Sequence, residues 1–305
     1  MDILITGANG LLGQKLLTTL HKETNRLSGI DLTDRSLVVD VPHRYSRIDL
    51  TVRKTSVDAI CEMKPQVIVH TAAMTAVDRC EQEKELCWNT NVVATENVVT
   101  AAQKIGARLI FISSDYVFDG KNGPYTEDSL PNPINFYGRS KLAAENIIRG
   151  ADISWTIIRT IVLYGVGINT RASFVTWLLD QLRAGKPSSI VDDQWGNSAI
   201  ADDLASGIDR IITLQRDGIF NIANHGYMSR FEFARLIADK FQLNRGLIAP
   251  ISTAALDQPA GRPLHSGLDV RKAERELHIS FRTTEEALML YKEQEKEMDD
   301  RTTSG

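Results

Sequence analysis

The sequence predicts an α/β fold built on a doubly wound parallel sheet, with a smaller α/β region at the C-terminal end. Three observations carry this expectation. Short apolar runs alternate with amphipathic stretches through the first half of the chain. Runs such as Val67-Ile68-Val69 and Leu109-Ile110-Phe111-Ile112 are continuous rather than alternating, which suits strands covered on both faces. The first run ends in a glycine cluster directly ahead of an amphipathic stretch, the strand, turn and helix order that opens a βαβ unit.

In chain order, residues 2–6 read as a strand, 11–21 as a helix and 26–30 as a second strand, all within the length of one βαβ unit. Residues 55–63 (helix) and 66–70 (strand) repeat the pattern, as do 88–105 (a long helix) and 108–113 (a strand). Between 115 and 133 the chain is a loop rich in Asp, Gly, Asn and Pro, and loops this long inside a compact domain are usually functional. Residues 135–149 are then helical and 155–159 form another strand. Beyond residue 164 the rhythm is less regular: helix at 174–184, strand at 189–191, helix at 201–214, strand at 218–222, helix at 229–241 and a charged helix at 291–300. The expected organisation is therefore a first domain at 1–164 with returning elements near 200–225, an interleaved second region at 165–300, and a disordered tail at 301–305.

The chain has 305 residues, 43% hydrophobic and 24% charged, ordinary composition for a soluble globular protein with a sizeable core. Its 35 basic and 39 acidic side chains give a net charge of −4 with no basic block, so the footprint of nucleic-acid binding is missing. No apolar stretch reaches the roughly 18–20 residues of a membrane span, and no leader precedes the first strand, so a cytoplasmic protein without a membrane partner is expected. Three cysteines with no C-x-x-C pair, and histidines without H-E-x-x-H, predict reduced thiols and no metal site.

The strongest local signal is Gly7-Ala8-Asn9-Gly10-Leu11-Leu12-Gly13, between the first strand and the first helix. Glycines there allow a tight turn and close approach of a pyrophosphate to helix N-terminal N–H groups, so Gly7, Asn9, Gly10, Leu11, Leu12 and Gly13 are candidate dinucleotide contacts in a Rossmann-type sheet. The spacing is G-x-x-G-x-x-G rather than the commoner G-x-G-x-x-G. Asp31, 18 residues past Gly13, is placed to accept from an adenosine ribose, while Arg35 could neutralise a 2′-phosphate, which leaves NADPH and NADH both open. Tyr137 and Lys141 lie four apart on one face of a helix, where an ammonium beside a phenol would lower its pKa from about 10 toward the range of a working acid. Ser113-Ser114-Asp115-Tyr116 ends a buried strand, the edge where parallel sheets bind ligands, and the Ser114 hydroxyl there can donate to a carbonyl oxygen.

Glycine turn, strand-end serine and Tyr-x-x-x-Lys, in this order, resemble the extended short-chain dehydrogenase/reductase superfamily. The segments His70-Thr71-Ala72-Ala73-Met74-Thr75-Ala76-Val77-Asp78, Ser114-Asp115-Tyr116-Val117-Phe118-Asp119-Gly120, Pro131-Asn132-Pro133-Ile134-Asn135-Phe136-Tyr137-Gly138 and Asp193-Gln194-Trp195-Gly196 resemble the dTDP-4-dehydrorhamnose reductase family, over about residues 2–290. The resemblance implies hydride transfer from NADPH or NADH to the C4 carbonyl of dTDP-6-deoxy-L-lyxo-4-hexulose, giving dTDP-L-rhamnose. It implies that Tyr137 gives the proton, that Lys141 lowers its pKa and holds the nicotinamide ribose, and that Ser114 polarises the carbonyl. It further implies cofactor contacts at Asp49, Leu50, Thr71, Ala72, Ala73 and Asn91, and contacts to a dTDP-sugar at Thr75, Val77, Asp115, Tyr116, Gln194 and Arg262, with Arg262 and Gln194 on the diphosphate. Association as a homodimer is compatible with it.

Three positions depart from the family pattern. His70 stands where Asn is common, and two readings of it, a buried histidine with its hydrogen bonds met and a ligand contact, stand equal. Ile161-Val162-Leu163-Tyr164-Gly165 replaces a segment that often carries a Trp, and Ser198-Ala199 replaces Pro-Thr. These changes also suit a second resemblance, to the regulatory β subunit of methionine adenosyltransferase, which implies a cofactor-binding partner subunit without turnover; a reductase of another nucleotide-linked 4-keto sugar is the third possibility.

Overall fold

The structure is a computed structural model that describes residues 1–303. The chain opens with β1 (Asp2–Thr6), α1 (Leu11–Thr19), β2 (Arg26–Asp31), β3 (Arg44–Arg47), α2 (Arg53–Met63) and β4 (Val67–His70). Two short helices, α3 (Val77–Gln82) and α4 (Lys84–Trp88), lead through a π-helical turn at Asn89–Val93 into α5 (Ala94–Ile105) and β5 (Arg108–Ser114). A single 3₁₀ turn at Asp115–Val117 follows, then α6 (Phe136–Arg149), β6 (Trp155–Thr160) and β7 (Leu163–Tyr164). The remainder comprises α7 (Phe174–Arg183), β8 (Ser188–Val191), β9 (Trp195–Gly196), β10 (Ala199–Ile200), α8 (Ala201–Leu214), β11 (Gly218–Asn221), β12 (Met228–Ser229), α9 (Arg230–Lys240), β13 (Ile248–Ile251), α10 (Arg271–Leu277) and α11 (Thr284–Thr303).

Seven of these strands form one sheet in the order β11-β6-β5-β4-β1-β2-β3, all neighbours parallel. The order reverses beside β1, which makes the carboxyl ends of β1 and β4 the switch point where ligands of open α/β sheets bind. Both faces are covered. On one, Leu12, Leu16 and Leu17 of α1 and Leu204, Ile208 and Ile211 of α8 bury Ile3, Ile5, Val67 and Val69. On the other, Val57 and Ile60 of α2, Val98 and Ala102 of α5 and Ile148 of α6 bury Leu4, Ile68 and Leu109. Burial on alternate sides explains why the strands read as continuous apolar runs.

The chain returns to this sheet through α8 and β11, which pairs with β6. The second region has a core of its own, where Val175, Leu178 and Leu179 of α7, Phe233 and Ile237 of α9 and Leu288 of α11 meet Ile190 and Ile248 of the β8–β13 pair. Helix α11 extends to Thr303, into the segment expected as a disordered tail; residues 304–305 lie outside the described residues. Among the described residues no helix is long and apolar enough to cross a membrane.

Candidate active site

At the β1–α1 turn, Gly7 adopts φ +70 and its N–H donates to Ile30 O at 2.8 Å. A Cβ there would lie 2.8 Å from Ala72 N, so only glycine lets the first turn, the end of β2 and the end of β4 meet this closely. Gly10 begins α1 without a side-chain cap, and the first turn of α1 has no acidic side chain. The N-terminal N–H groups of α1 are therefore left for an anion, as a pyrophosphate requires.

Asn9 works on the protein rather than facing that anion. Its Nδ2 donates to Thr33 Oγ1 (2.5 Å), Arg35 O (2.9 Å) and the Tyr45 hydroxyl (3.0 Å), and its Oδ1 accepts from Leu37 N (2.8 Å). Asp31 accepts from Asn9 N at 2.9 Å and Leu32 N at 2.7 Å, which fixes its carboxylate at the end of β2, while the Arg35 side chain is exposed beside it. Thr71 ties β4 to β1 by donating to Thr6 O at 2.7 Å, with Ala72 and Ala73 half-buried next to Gly7. Asp49 is exposed and accepts from Thr51, and Leu50 is buried in the sheet's second core.

The catalytic candidates gather at the end of β5. Ser114 Oγ donates to Asp115 Oδ1 at 3.0 Å and accepts from Tyr116 N at 3.2 Å. The other Asp115 oxygen accepts from Ser266, and burial raises the Asp115 carboxyl to about 6 against the pull of those hydroxyls. Helix α6 approaches this turn because Asn135 caps it, accepting from Gly138 N at 2.8 Å and donating to Gly261 O at 2.8 Å. A Cβ on Gly138 would fall 2.0 Å from Tyr116 O, so the glycine is what allows the contact. It sets the Tyr137 ring edge-on to Tyr116, with centroids 5.6 Å apart at 71°.

The electrostatics of the Tyr–Lys pair differ from the expectation. The Tyr137 phenol is pushed up, because burial outweighs the pull of the nearby Ser114 hydroxyl, which favours the phenolate. Lys141 does not reverse this. Its Nζ lies over the Phe111 ring, 4.1 Å from the centroid, and burial pulls it down to about 7, opposed by the charge of Glu145.

Asn91 holds the cleft wall together from the π-helical turn. It accepts from Met74 N (2.7 Å) and donates to Met74 O (3.1 Å) and to Ser140 Oγ (3.0 Å), and Ser140 in turn donates to Tyr137 O at 2.7 Å. The question over His70 resolves in favour of the buried histidine. Its ring nitrogens meet Thr6 Oγ1 at 2.7 Å and Thr95 Oγ1 at 3.2 Å, and burial pulls its pKa to about 3, leaving it neutral.

Of the expected substrate contacts, Asp115, Tyr116 and Gln194 line one cleft together with Trp195, Arg230 and Ser266. Gln194 Nε2 donates to Thr253 Oγ1 at 2.9 Å. Val77 is half-buried near Tyr137, and Thr75 is exposed. Arg262 is already committed, with Nη2 on Asp78 at 2.7 Å and Nη1 on Ala260 O at 2.6 Å, so anything it offers a diphosphate is shared with that carboxylate. The reading from motifs missed Ser266, Arg230 and Glu145. Ser266 and Arg230 reach the site through tertiary contacts alone, whereas Glu145 lies one helical turn beyond Lys141 on α6, a spacing that could have found it.

Residues 1–296 match the family model described as the RmlD substrate binding domain. The chain is 33% identical to methionine adenosyltransferase 2 subunit beta of Xenopus tropicalis, covering 89% of this chain and 81% of that one. It is 30% identical to the spore coat polysaccharide biosynthesis protein SpsK of Bacillus subtilis, over 95% of this chain and 96% of that one. A dTDP-4-dehydrorhamnose reductase from Bacillus anthracis, solved in complex with NADP, superposes with a TM-score of 0.85 at 31% identity, covering 95% and 98% of the two chains. Fold, glycine turn and the Ser114 strand end thus occur together in a chain that belongs to the RmlD substrate-binding-domain family.

Proposed function

We propose that this protein is an NAD(P)H-dependent oxidoreductase that reduces the keto group of a nucleotide-linked sugar, with dTDP-6-deoxy-L-lyxo-4-hexulose as substrate and dTDP-L-rhamnose as product. The observation that carries the reading is the placement of Ser114 at the end of β5 and of Tyr137, packed edge-on against Tyr116, at the start of α6, on the sheet edge that also carries the glycine turn. The open N-terminus of α1 fits the pyrophosphate of the cofactor, whose nicotinamide supplies the hydride.

This chain's residues do the rest. Burial keeps the Tyr137 phenol protonated at neutral pH, the state required of a group that must give a proton to the forming alkoxide. Ser114, whose hydroxyl donates to Asp115, would turn that proton to the same oxygen and polarise the carbonyl. Lys141, recessed on the same face of α6, would hold the nicotinamide ribose and, once charged, favour the phenolate that remains after proton transfer.

The test is turnover of that 4-keto sugar by purified protein with NADPH or NADH, followed by loss of the reduced-nicotinamide absorbance. Sugar-dependent oxidation that requires Tyr137 supports the proposal. The likeness to methionine adenosyltransferase 2 subunit beta, together with Ile161 and Val162 in the cleft wall, favours a second reading as a partner subunit. Tight cofactor binding, no turnover on any nucleotide-linked keto sugar and co-purification with a methionine adenosyltransferase would establish that reading instead.

A further inference from the structure

The β9–β12 ladder sets Trp195 opposite Ser229, and Arg230 N then donates to Gln194 O at 2.8 Å. Ser229 and Glu232 form a reciprocal cap, with Ser229 Oγ accepting from Glu232 N at 3.1 Å and Glu232 Oε2 accepting from Ser229 N at 2.8 Å. The backbone of Arg230 is thereby fixed on both sides, and the nearby Glu232 carboxylate is turned back onto its own helix start. The Arg230 side chain runs into the cleft that Asp115, Tyr116 and Ser266 line, its guanidinium 5.0 Å over the Phe174 ring.

Among the described residues, no acceptor takes a hydrogen bond or an ion pair from that guanidinium. Other recessed arginines of the region are committed, Arg262 to Asp78 and Arg159 to Glu145. Asp115 is the charged group facing Arg230, yet its two oxygens are occupied by the Ser114 and Ser266 hydroxyls. Burial works against the charge of Arg230, although arginine keeps its proton in proteins. Arg230 is half-buried with its donors open to the cleft, and a planar oxyanion there can accept two parallel hydrogen bonds from its guanidinium.

We infer that Arg230 receives an oxyanion carried by the substrate, clamping it against the catalytic strand end that presents Asp115 and Tyr116. The inference deepens the proposed function, since it rests on a nucleotide-linked sugar occupying this cleft. Two parts of such a molecule carry the required chemistry, the diphosphate and a carboxylate on the sugar.

The experiment measures binding by calorimetry to the NADP-loaded protein and to its Arg230→Gln and Arg230→Lys variants. The probes are inorganic pyrophosphate, dTDP, UDP-glucose and UDP-glucuronate. Loss of a charge-assisted bidentate contact predicts ten- to a hundredfold weaker binding in Arg230→Gln, with partial recovery in Arg230→Lys and unchanged NADP affinity and Tm in both. Weaker binding of pyrophosphate and dTDP assigns the oxyanion to the diphosphate. Loss confined to the preference for UDP-glucuronate over UDP-glucose assigns it to a sugar carboxylate. Equal affinities in wild type and Arg230→Gln for every probe, or no binding of any probe by wild type, overturn the inference. Arg230-dependent binding of pyrophosphate without binding of any nucleotide or nucleotide sugar leaves Arg230 in place and overturns the proposed function.

Discussion

Arg159 donates two hydrogen bonds to Glu145, from Nε to Oε1 at 3.0 Å and from Nη2 to Oε2 at 2.8 Å, with neither side chain exposed. Ser113 adds a third, donating to Oε1 at 2.6 Å. One carboxylate thus joins β5, β6 and α6, one helical turn beyond Lys141 and next to Ser114 on the strand. Glu145→Gln keeps the shape but leaves Arg159 buried without its counter-charge, which should cost about 3–5 kcal/mol in denaturant unfolding. It also removes the charge that favours protonated Lys141, so the pH at which Lys141 loses its proton should fall below about 7. A variant as stable as wild type, with an unmoved pH–rate profile, would contradict both roles.

Tyr137→Phe should leave the ring contact with Tyr116 and the fold in place while removing the proposed proton donor. The expected loss is at least about a hundredfold in kcat, within the roughly 10²–10⁴ that general acid catalysis contributes, with cofactor affinity within a few fold of wild type. Steady-state kinetics and cofactor titration on the same preparation check this. Retained turnover removes Tyr137 from the mechanism.

What could be read from the residues is local. The glycine turn, the strand-end Ser114 and the Tyr137/Lys141 spacing are short patterns inside one element or one junction; the structure sets the first at the switch point of the sheet, the second at the carboxyl end of β5 and the third on α6 beside it. Strand β3, Arg44-Tyr45-Ser46-Arg47, escaped because an edge strand with exposed ends carries no apolar run. Strand β13 contains Pro250, which argues against a strand anywhere except an edge. The expected helix 88–105 is broken into α4, a π-helical turn and α5, since one extra residue in a turn hardly disturbs apolar spacing; that turn aims Asn91 at Met74 and Ser140. Ser266 and Arg230 lie more than a hundred residues from Asp115 in sequence, so only the fold brings them to it.

Cofactor preference is testable at Arg35. Asp31 is held by Asn9 N and Leu32 N, which positions its carboxylate for a ribose hydroxyl, whereas Arg35 is exposed with its side chain free to meet a 2′-phosphate. Arg35→Ala should raise KM for NADPH several-fold and leave KM for NADH unchanged, the modest effect expected of a solvent-exposed ion pair. The effect should also shrink as salt is raised. Equal changes for both cofactors would show that Arg35 does not read the phosphate.

Lys141 makes the stability of the protein depend on pH in a defined direction. Burial lowers it from 10.5 to about 7, so between those values the unfolded chain binds a proton that the folded chain does not. Raising the pH through that window therefore favours the folded state, and below about 7 the full cost of the buried charge is present. Lys141→Met keeps the apolar stem against Phe111 and removes the charge. Without cofactor, the variant should melt a few degrees above wild type near pH 6, with the gap closing steadily toward pH 10.5. Differential scanning calorimetry of both proteins across that range decides it. A gap that is constant with pH, or that widens toward high pH, would mean that Lys141 is not held down by burial. The same variant should lose catalysis and cofactor affinity together, because the charge that destabilises the empty fold is the one proposed to hold the nicotinamide ribose.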